Sequence, residues 1–123
     1  MRVILIAVVF VLILVSIIGL KMTGNVVVTN YNYDDFAKCL TTNGVKMYGA
    51  YWCPHCTNQK QMFGGSWQYV NYIECALPDG GQAKTCSQAG IVGYPTWEFQ
   101  DGKKISGELS LEQLSQYSNC LLA

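Results

Sequence analysis

From Val3 to Leu20 the chain is apolar except at Ser16 and Gly19. As a helix rising about 1.5 Å per residue, this run reaches roughly 27 Å, close to the thickness of a bilayer's hydrocarbon core. Arg2 precedes it and Lys21 closes it. A cleaved signal peptide is the alternative, but its apolar core is usually about 7–15 residues long and ends in a small-x-small site. Here the run is longer, and Leu20, Lys21 and Met22 make a poor site. The expectation is a retained N-terminal membrane anchor over residues 1–22, a linker over 23–32, and one domain over 33–123. Arg2 and the terminal amine favour a cytoplasmic N-terminus. Lys21 blunts that signal. The chain is then expected in the cell membrane as a single-pass protein with its domain extracytoplasmic.

Residues 24–123 contain six Lys, no Arg and eight acidic residues, a net charge of −2. Nucleic-acid binding needs a clustered basic patch, which is missing. Without Arg in the domain, bidentate phosphate recognition is disfavoured too. Six cysteines in so short a chain, an even number next to a membrane-targeting segment, fit an oxidising compartment.

Val26-Val27-Val28 reads as the connector leaving the membrane, with a short edge strand as the alternative. A helix is expected over Tyr33–Thr42, stopped by Asn43-Gly44. Val45–Tyr51 reads as a buried strand. Cys53 opens a helix to Phe63, with Pro54 in the first turn, where its missing N–H costs nothing. Gly64-Gly65 ends it. Trp67–Cys75, aromatic and β-branched, reads as a second strand. Leu77–Gly81 is a turn cluster, and Gln82–Ala89 a short helix ended by Gly90. Thr96–Gln100 and Lys103–Gly107 form a hairpin across Asp101-Gly102. Ser110 caps a last helix to Ser118, with Leu111 and Leu114 on one face. This order is that of an α/β layer, with helices on both faces of a mixed central sheet.

Cys53 and Cys56 are two residues apart at the start of a helix. The thiolate is the reactive form of cysteine. At the helix start, free N–H groups and the positive end of the dipole favour that anion on Cys53. Cys56, one turn on, is placed to close a disulfide as the resolving thiol. His55, when protonated, adds to the stabilisation of a Cys53 thiolate. Zinc needs a second ligand pair, yet there is no second Cys-x-x-Cys and His55 is the only histidine; no metal is expected. A purely structural bridge over so few residues stabilises little.

A strand ending in Trp-Cys-x-x-Cys at a helix start resembles the thioredoxin superfamily. The second landmark is "IVGYPTW", whose Pro95 follows Cys53 by 42 positions. The likeness covers about Tyr33 to Asn119. More narrowly, "KMYGAYWCPHCTNQKQMFG", "YIEC" and "AGIVGYPTWEF" resemble the thioredoxin-like domain fused to or partnered with bacterial and archaeal homologues of vitamin K epoxide reductase (VKOR). The Pro54-His55 dipeptide is similar to that of DsbA-type thiol oxidants. Their attacking cysteine has a pKa of about 3.5 and their potential is about −120 mV, against about −270 mV for thioredoxin.

The resemblance implies a thioredoxin-like fold preceded by one transmembrane helix. It implies a cis Pro95 that presents the Tyr94 backbone to an extended substrate beside Cys53, with Trp52, Tyr94, Thr96 and Tyr51 around it. The family's related domains carry a pair at Cys75 and Cys86, expected as a staple; a second redox pair feeding Cys53–Cys56 is the alternative. In such a fold the ends holding Cys39 and Cys120 point away from the active site. Elimination and that geometry favour a bridge over two separate buried thiols. One departure stands out. The buried carboxylate that thioredoxins place near the resolving cysteine is replaced by Met47, and no Asp or Glu lies between Asp35 and Glu74.

The implied activity is thiol–disulfide exchange without a bound cofactor. Cys53, Cys56, His55 and Pro54 form the catalytic set. Client proteins with cysteine thiols are oxidised, and a quinone-linked VKOR- or DsbB-like membrane oxidase restores the disulfide. The rivals are a reductase or isomerase fed by a membrane electron carrier, and a non-catalytic binding module on the same scaffold.

Overall fold

The computed structural model describes residues 2–18 and 32–122, which fall in two units, Met1–Asn30 and Tyr31–Ala123. In the first unit, helix α1 spans Arg2–Ile18. Its apolar side chains from Val3 to Ile13 are exposed within that unit. Among the described residues no helix is long and apolar enough to cross a membrane. The expected anchor covers residues 1–22, of which 1 and 19–22 lie outside the described residues. The expected connector at Val26–Val28 also lies outside the described residues, as does all of the expected linker but Asn32.

The second unit is built on a four-stranded sheet, β1 (Lys46–Gly49), β2 (Tyr72–Glu74), β3 (Thr96–Glu98) and β4 (Lys104–Ser106), in the order β2-β1-β3-β4. β1 runs parallel to β2, with Met47 opposite Tyr72, and antiparallel to β3, with Met47 opposite Trp97. β3 and β4 form the expected hairpin. Its turn closes with the Gly102 N–H donating to Phe99 O at 2.9 Å. Gly102 sits at φ 79°, a left-handed conformation that glycine adopts without steric cost.

Alternate residues of a strand face opposite sides of a sheet. Met47 and Trp97 accordingly enter the larger core with Phe36 and Leu40 of α2 (Asp34–Thr42), Phe63 of α3 (Pro54–Phe63) and Leu114 of α5 (Leu111–Ser118). Tyr48 joins a second core on the opposite face with Ile91 and the buried cysteines Cys75 and Cys86, the latter in α4 (Lys84–Gln88). Both faces of the sheet are therefore covered. α5 starts in a capping box, Ser110 Oγ accepting from Gln113 N–H and Gln113 Oε1 from Ser110 N–H.

The expected strand over Trp67–Cys75 is shorter than its composition suggests. Gly64–Tyr69 is a 3-10 helix, and only Tyr72–Glu74 pair as a strand. Long-range hydrogen bonds tie this stretch to the start of α2: Ser66 Oγ accepts from Tyr33 N–H at 3.0 Å and donates to Asp34 Oδ1 at 2.7 Å. Thr41 Oγ1 donates to Tyr69 O at 2.7 Å. Trp67 packs edge-on against Phe63 and Tyr72, each at 5.7 Å between ring centroids. Trp67 fills space beside α3 and makes no ladder, whereas Tyr72 pairs with Met47 of β1.

Two disulfides brace the unit. Cys39 of α2 is bridged to Cys120 beyond α5, and Cys75 to Cys86. On chain entropy alone, a loop of about a dozen residues gains about 3 kcal/mol from its bridge and one of about eighty about 4.5 kcal/mol.

Candidate active site

The two remaining cysteines, Cys53 and Cys56, are free and buried. β1 delivers the chain to Ala50, whose carbonyl accepts the Cys53 N–H at 3.0 Å. Cys53 is the N-cap of α3, with extended backbone (φ −80°, ψ 118°), and Pro54 is the first helical residue. Cys53 is 5% exposed and Cys56 1%, so the first sulfur is the one nearer solvent. Burial pushes the Cys56 thiol up to about 11, and the neighbouring Cys53 adds to that, while the Ala50 backbone and Lys60 pull the other way. Cys56 therefore keeps its proton when the pair is reduced.

The Tyr94-Pro95 peptide is cis. Cys53 Sγ lies 3.6 Å from Tyr94 O, which places the backbone preceding Pro95 against the outer sulfur. Pro95 itself is fully buried. Trp52 meets Tyr94 edge-on at 6.0 Å. Tyr51 and Trp52, next to Cys53 in the chain, are exposed, so apolar side chains border the sulfur; Val92, ahead of Tyr94 in the chain, is 96% exposed. Tyr94 is held from behind by Gln82, whose side-chain amide donates to the Tyr94 hydroxyl at 2.7 Å and to Ile91 O at 3.0 Å.

Thr96, expected on the substrate rim, is 3% exposed. Its hydroxyl donates to Gly93 O at 2.8 Å and lies 2.9 Å from Ser106 Oγ. What it shapes is the turn that leads into Pro95. His55 is exposed, and its Nδ1 lies 2.6 Å from Glu108 Oε1. Asn58 Nδ2 donates to the same oxygen at 3.2 Å. The His55 contact, with that of Asn58, lowers the Glu108 carboxyl below its ordinary value.

Four residues near the pair escaped sequence reasoning. Glu108 comes from a loop 53 positions after His55 and carries no local signal. Gln59 is fully buried on α3. It accepts from Trp97 Nε1 (3.1 Å) and Leu109 N–H (2.8 Å) and donates to Leu109 O (2.9 Å), so it fastens the active helix to β3 and to the approach of α5. Gly49 and Tyr72 stand beside Cys56. A Cβ on Gly49 would lie 3.0 Å from Cys56 Sγ and 2.7 Å from Tyr72 Cε2. A glycine inside a strand is a signal of close approach, and here it identifies the spot.

The Cys75 and Cys86 sulfurs are fully buried in the second core. Such enclosure keeps attacking thiolates away.

The four-stranded mixed sheet, with a free Cys-x-x-Cys pair at a helix start and a cis-proline against its outer sulfur, is consistent with a thioredoxin-like domain. Over 86 residues the chain is 46% identical to the thiol-disulfide oxidoreductase LTO1 of Arabidopsis thaliana, a stretch that covers 65% of this chain and 22% of that protein. The chain thus spans less than a quarter of the length of this relative. No protein-family model matches the chain.

Proposed function

We propose that the chain is a membrane-tethered, extracytoplasmic thiol–disulfide oxidoreductase that oxidises the thiols of client proteins. The observation that carries this reading is the difference between the cysteines. Four are locked in two bridges, while Cys53 and Cys56 are free, with Cys53 Sγ set against Tyr94 O. The likeness to LTO1, whose name describes this chemistry, supports it. The apolar run Val3–Leu20 supports the tether.

The reaction starts from the Cys53–Cys56 disulfide. A client thiolate attacks Cys53 Sγ, a new sulfur–sulfur bond forms, and the electron pair of the old bond leaves on Cys56, which takes a proton. A second client thiolate attacks the client sulfur of the mixed disulfide, and Cys53 departs as a thiolate. The client has lost two electrons and the pair has gained them. A quinone-linked membrane oxidase of the VKOR or DsbB type then removes two electrons and restores the bridge. The exposed Tyr51, Trp52 and Val92 receive apolar client segments. An extended segment pairs with the backbone at Tyr94, in the manner of an added strand.

A trapping experiment tests the reaction. The full-length Cys56→Ala chain, mixed with an unfolded disulfide-bearing client, is expected to accumulate a mixed disulfide through Cys53. Cys53→Ala is expected to form none. Adducts in equal yield from both variants would contradict the assignment of Cys53 as the sulfur that bonds to the client.

A further inference from the structure

We infer that Tyr72, backed by Glu74, is the proton conduit of Cys56 and fills the role left open by Met47. This rests on the oxidoreductase reading above. A Cβ built on Gly49 would lie 3.0 Å from Cys56 Sγ and 3.1 Å from Tyr72 Oη, so both atoms crowd the same bare Cα. A hydroxyl so placed reaches the sulfur through one water. Tyr72 Oη donates to Glu74 Oε2 at 2.7 Å. The other carboxylate oxygen, Oε1, is pinned by the N–H groups of Tyr51 (3.1 Å) and Ala76 (2.9 Å), which aims Oε2 at the tyrosine. Cys56 is 1% exposed, whereas Glu74 is exposed. The series therefore runs from a closed-off sulfur to solvent.

The charged and titratable groups around Cys56 define who can carry its proton. Cys53 and Lys60 come from the same helix, and Tyr72 and Glu74 from β2. Lys60 Nζ stands 3.9 Å above the Tyr72 ring and, as a cation, favours the departure of the Cys56 proton without accepting it. Burial first, then the bond to Glu74, raises the Tyr72 hydroxyl well above its ordinary value. A free tyrosinate is therefore not formed. Tyr72 oxygen accepts a proton from the bridging water, which takes that of Cys56, as its own proton passes to Glu74 Oε2.

The step that uses this path is the resolution of a mixed disulfide. Cys56 loses its proton through the water to Tyr72, and its sulfur attacks Cys53 Sγ. The Cys53–Cys56 bond forms, the bond from Cys53 to the partner sulfur breaks, and the partner leaves as a thiolate. When a client thiolate later breaks the Cys53–Cys56 bond, the same path run in reverse returns a proton to Cys56.

The reduced full-length chain, mixed with oxidised glutathione and quenched in acid, gives the two steps separately by mass: the adduct at Cys53, then the Cys53–Cys56 disulfide. Tyr72→Phe keeps the ring that packs on Trp67 and Lys60, and Glu74→Gln keeps an acceptor for the two backbone N–H groups. In both variants the second step at neutral pH is expected to slow roughly 10- to 100-fold, at or just below the low end of general acid–base effects. The first step is expected to keep its rate, and the deficit to shrink as rising pH lets hydroxide replace the relay. A purely structural role would not tie the deficit to pH. A second step with wild-type rate and pH profile in Tyr72→Phe overturns the relay alone. A wild-type chain that forms no adduct at Cys53 overturns the oxidoreductase reading, and the relay with it.

Discussion

Glu108 Oε1 lies 2.6 Å from His55 Nδ1, joining the residue between the two cysteines to the loop ahead of α5. The contact lowers the Glu108 carboxyl. Replacing His55 with Ala is expected to return that carboxyl toward its ordinary range, read from the Glu108 side-chain carbon in an NMR titration. The folded value is the depressed one, so the pairing is present above the ordinary carboxylate range and lost as pH falls through the lowered value. His55→Ala is also expected to make the Cys53–Cys56 pair less oxidising by about 30 mV or more, since each tenfold change in the exchange equilibrium of a two-electron couple is about 30 mV.

The raised Cys56 thiol sets a pH signature. Below about 11, reduction of the pair places a proton on Cys56. The potential is then expected to fall by about 30 mV per pH unit. The same shift acts on folding of the reduced chain. The folded thiol value is raised, so its stabilising contribution is whole below the ordinary thiol value of 9.0 and is lost as pH rises toward about 11. Chemical denaturation of the reduced and oxidised chains across that window is expected to show the loss for the reduced form only.

Gln59 serves three partners in the core. Gln59→Leu would orphan Trp97 Nε1–H and both backbone groups of Leu109. Each unsatisfied buried group costs about 1–3 kcal/mol, and partial relaxation makes about 3 kcal/mol the expected total. A lower urea midpoint with an unchanged slope is the signature.

The two disulfides are expected to separate stability from turnover. Loss of a native bridge in a small domain typically costs about 2–5 kcal/mol. The paired Cys75→Ser, Cys86→Ser variant is therefore expected to melt earlier while Cys53–Cys56 still exchanges with glutathione and client at the wild-type rate. A stable variant with exchange abolished would instead make Cys75–Cys86 a redox relay.

Features with local causes were legible from the sequence. Pro54 after Cys53, the Ser110 cap and the Asp101-Gly102 turn each act within a few residues, and the elements they bound lie where expected. The Trp67–Cys75 stretch misled because aromatic and β-branched residues suit a strand and a core-facing turn alike; hydrogen bonds from α2 decided the outcome. Thr96 was placed on the rim by its position after Pro95, yet its hydroxyl bonds inward to Ser106. Glu108, Gln59 and Tyr72 became visible only when the fold brought distant segments together, as the 53 positions between His55 and Glu108 illustrate.

The most direct test of the proposed oxidising role is the reduction potential of Cys53–Cys56 in the full chain, equilibrated in glutathione buffers with the other four cysteines tracked by mass. An oxidant is expected at about −120 to −180 mV, the range of thiol oxidants and isomerases. A value of about −270 mV would contradict the oxidising role and make the chain a reductase.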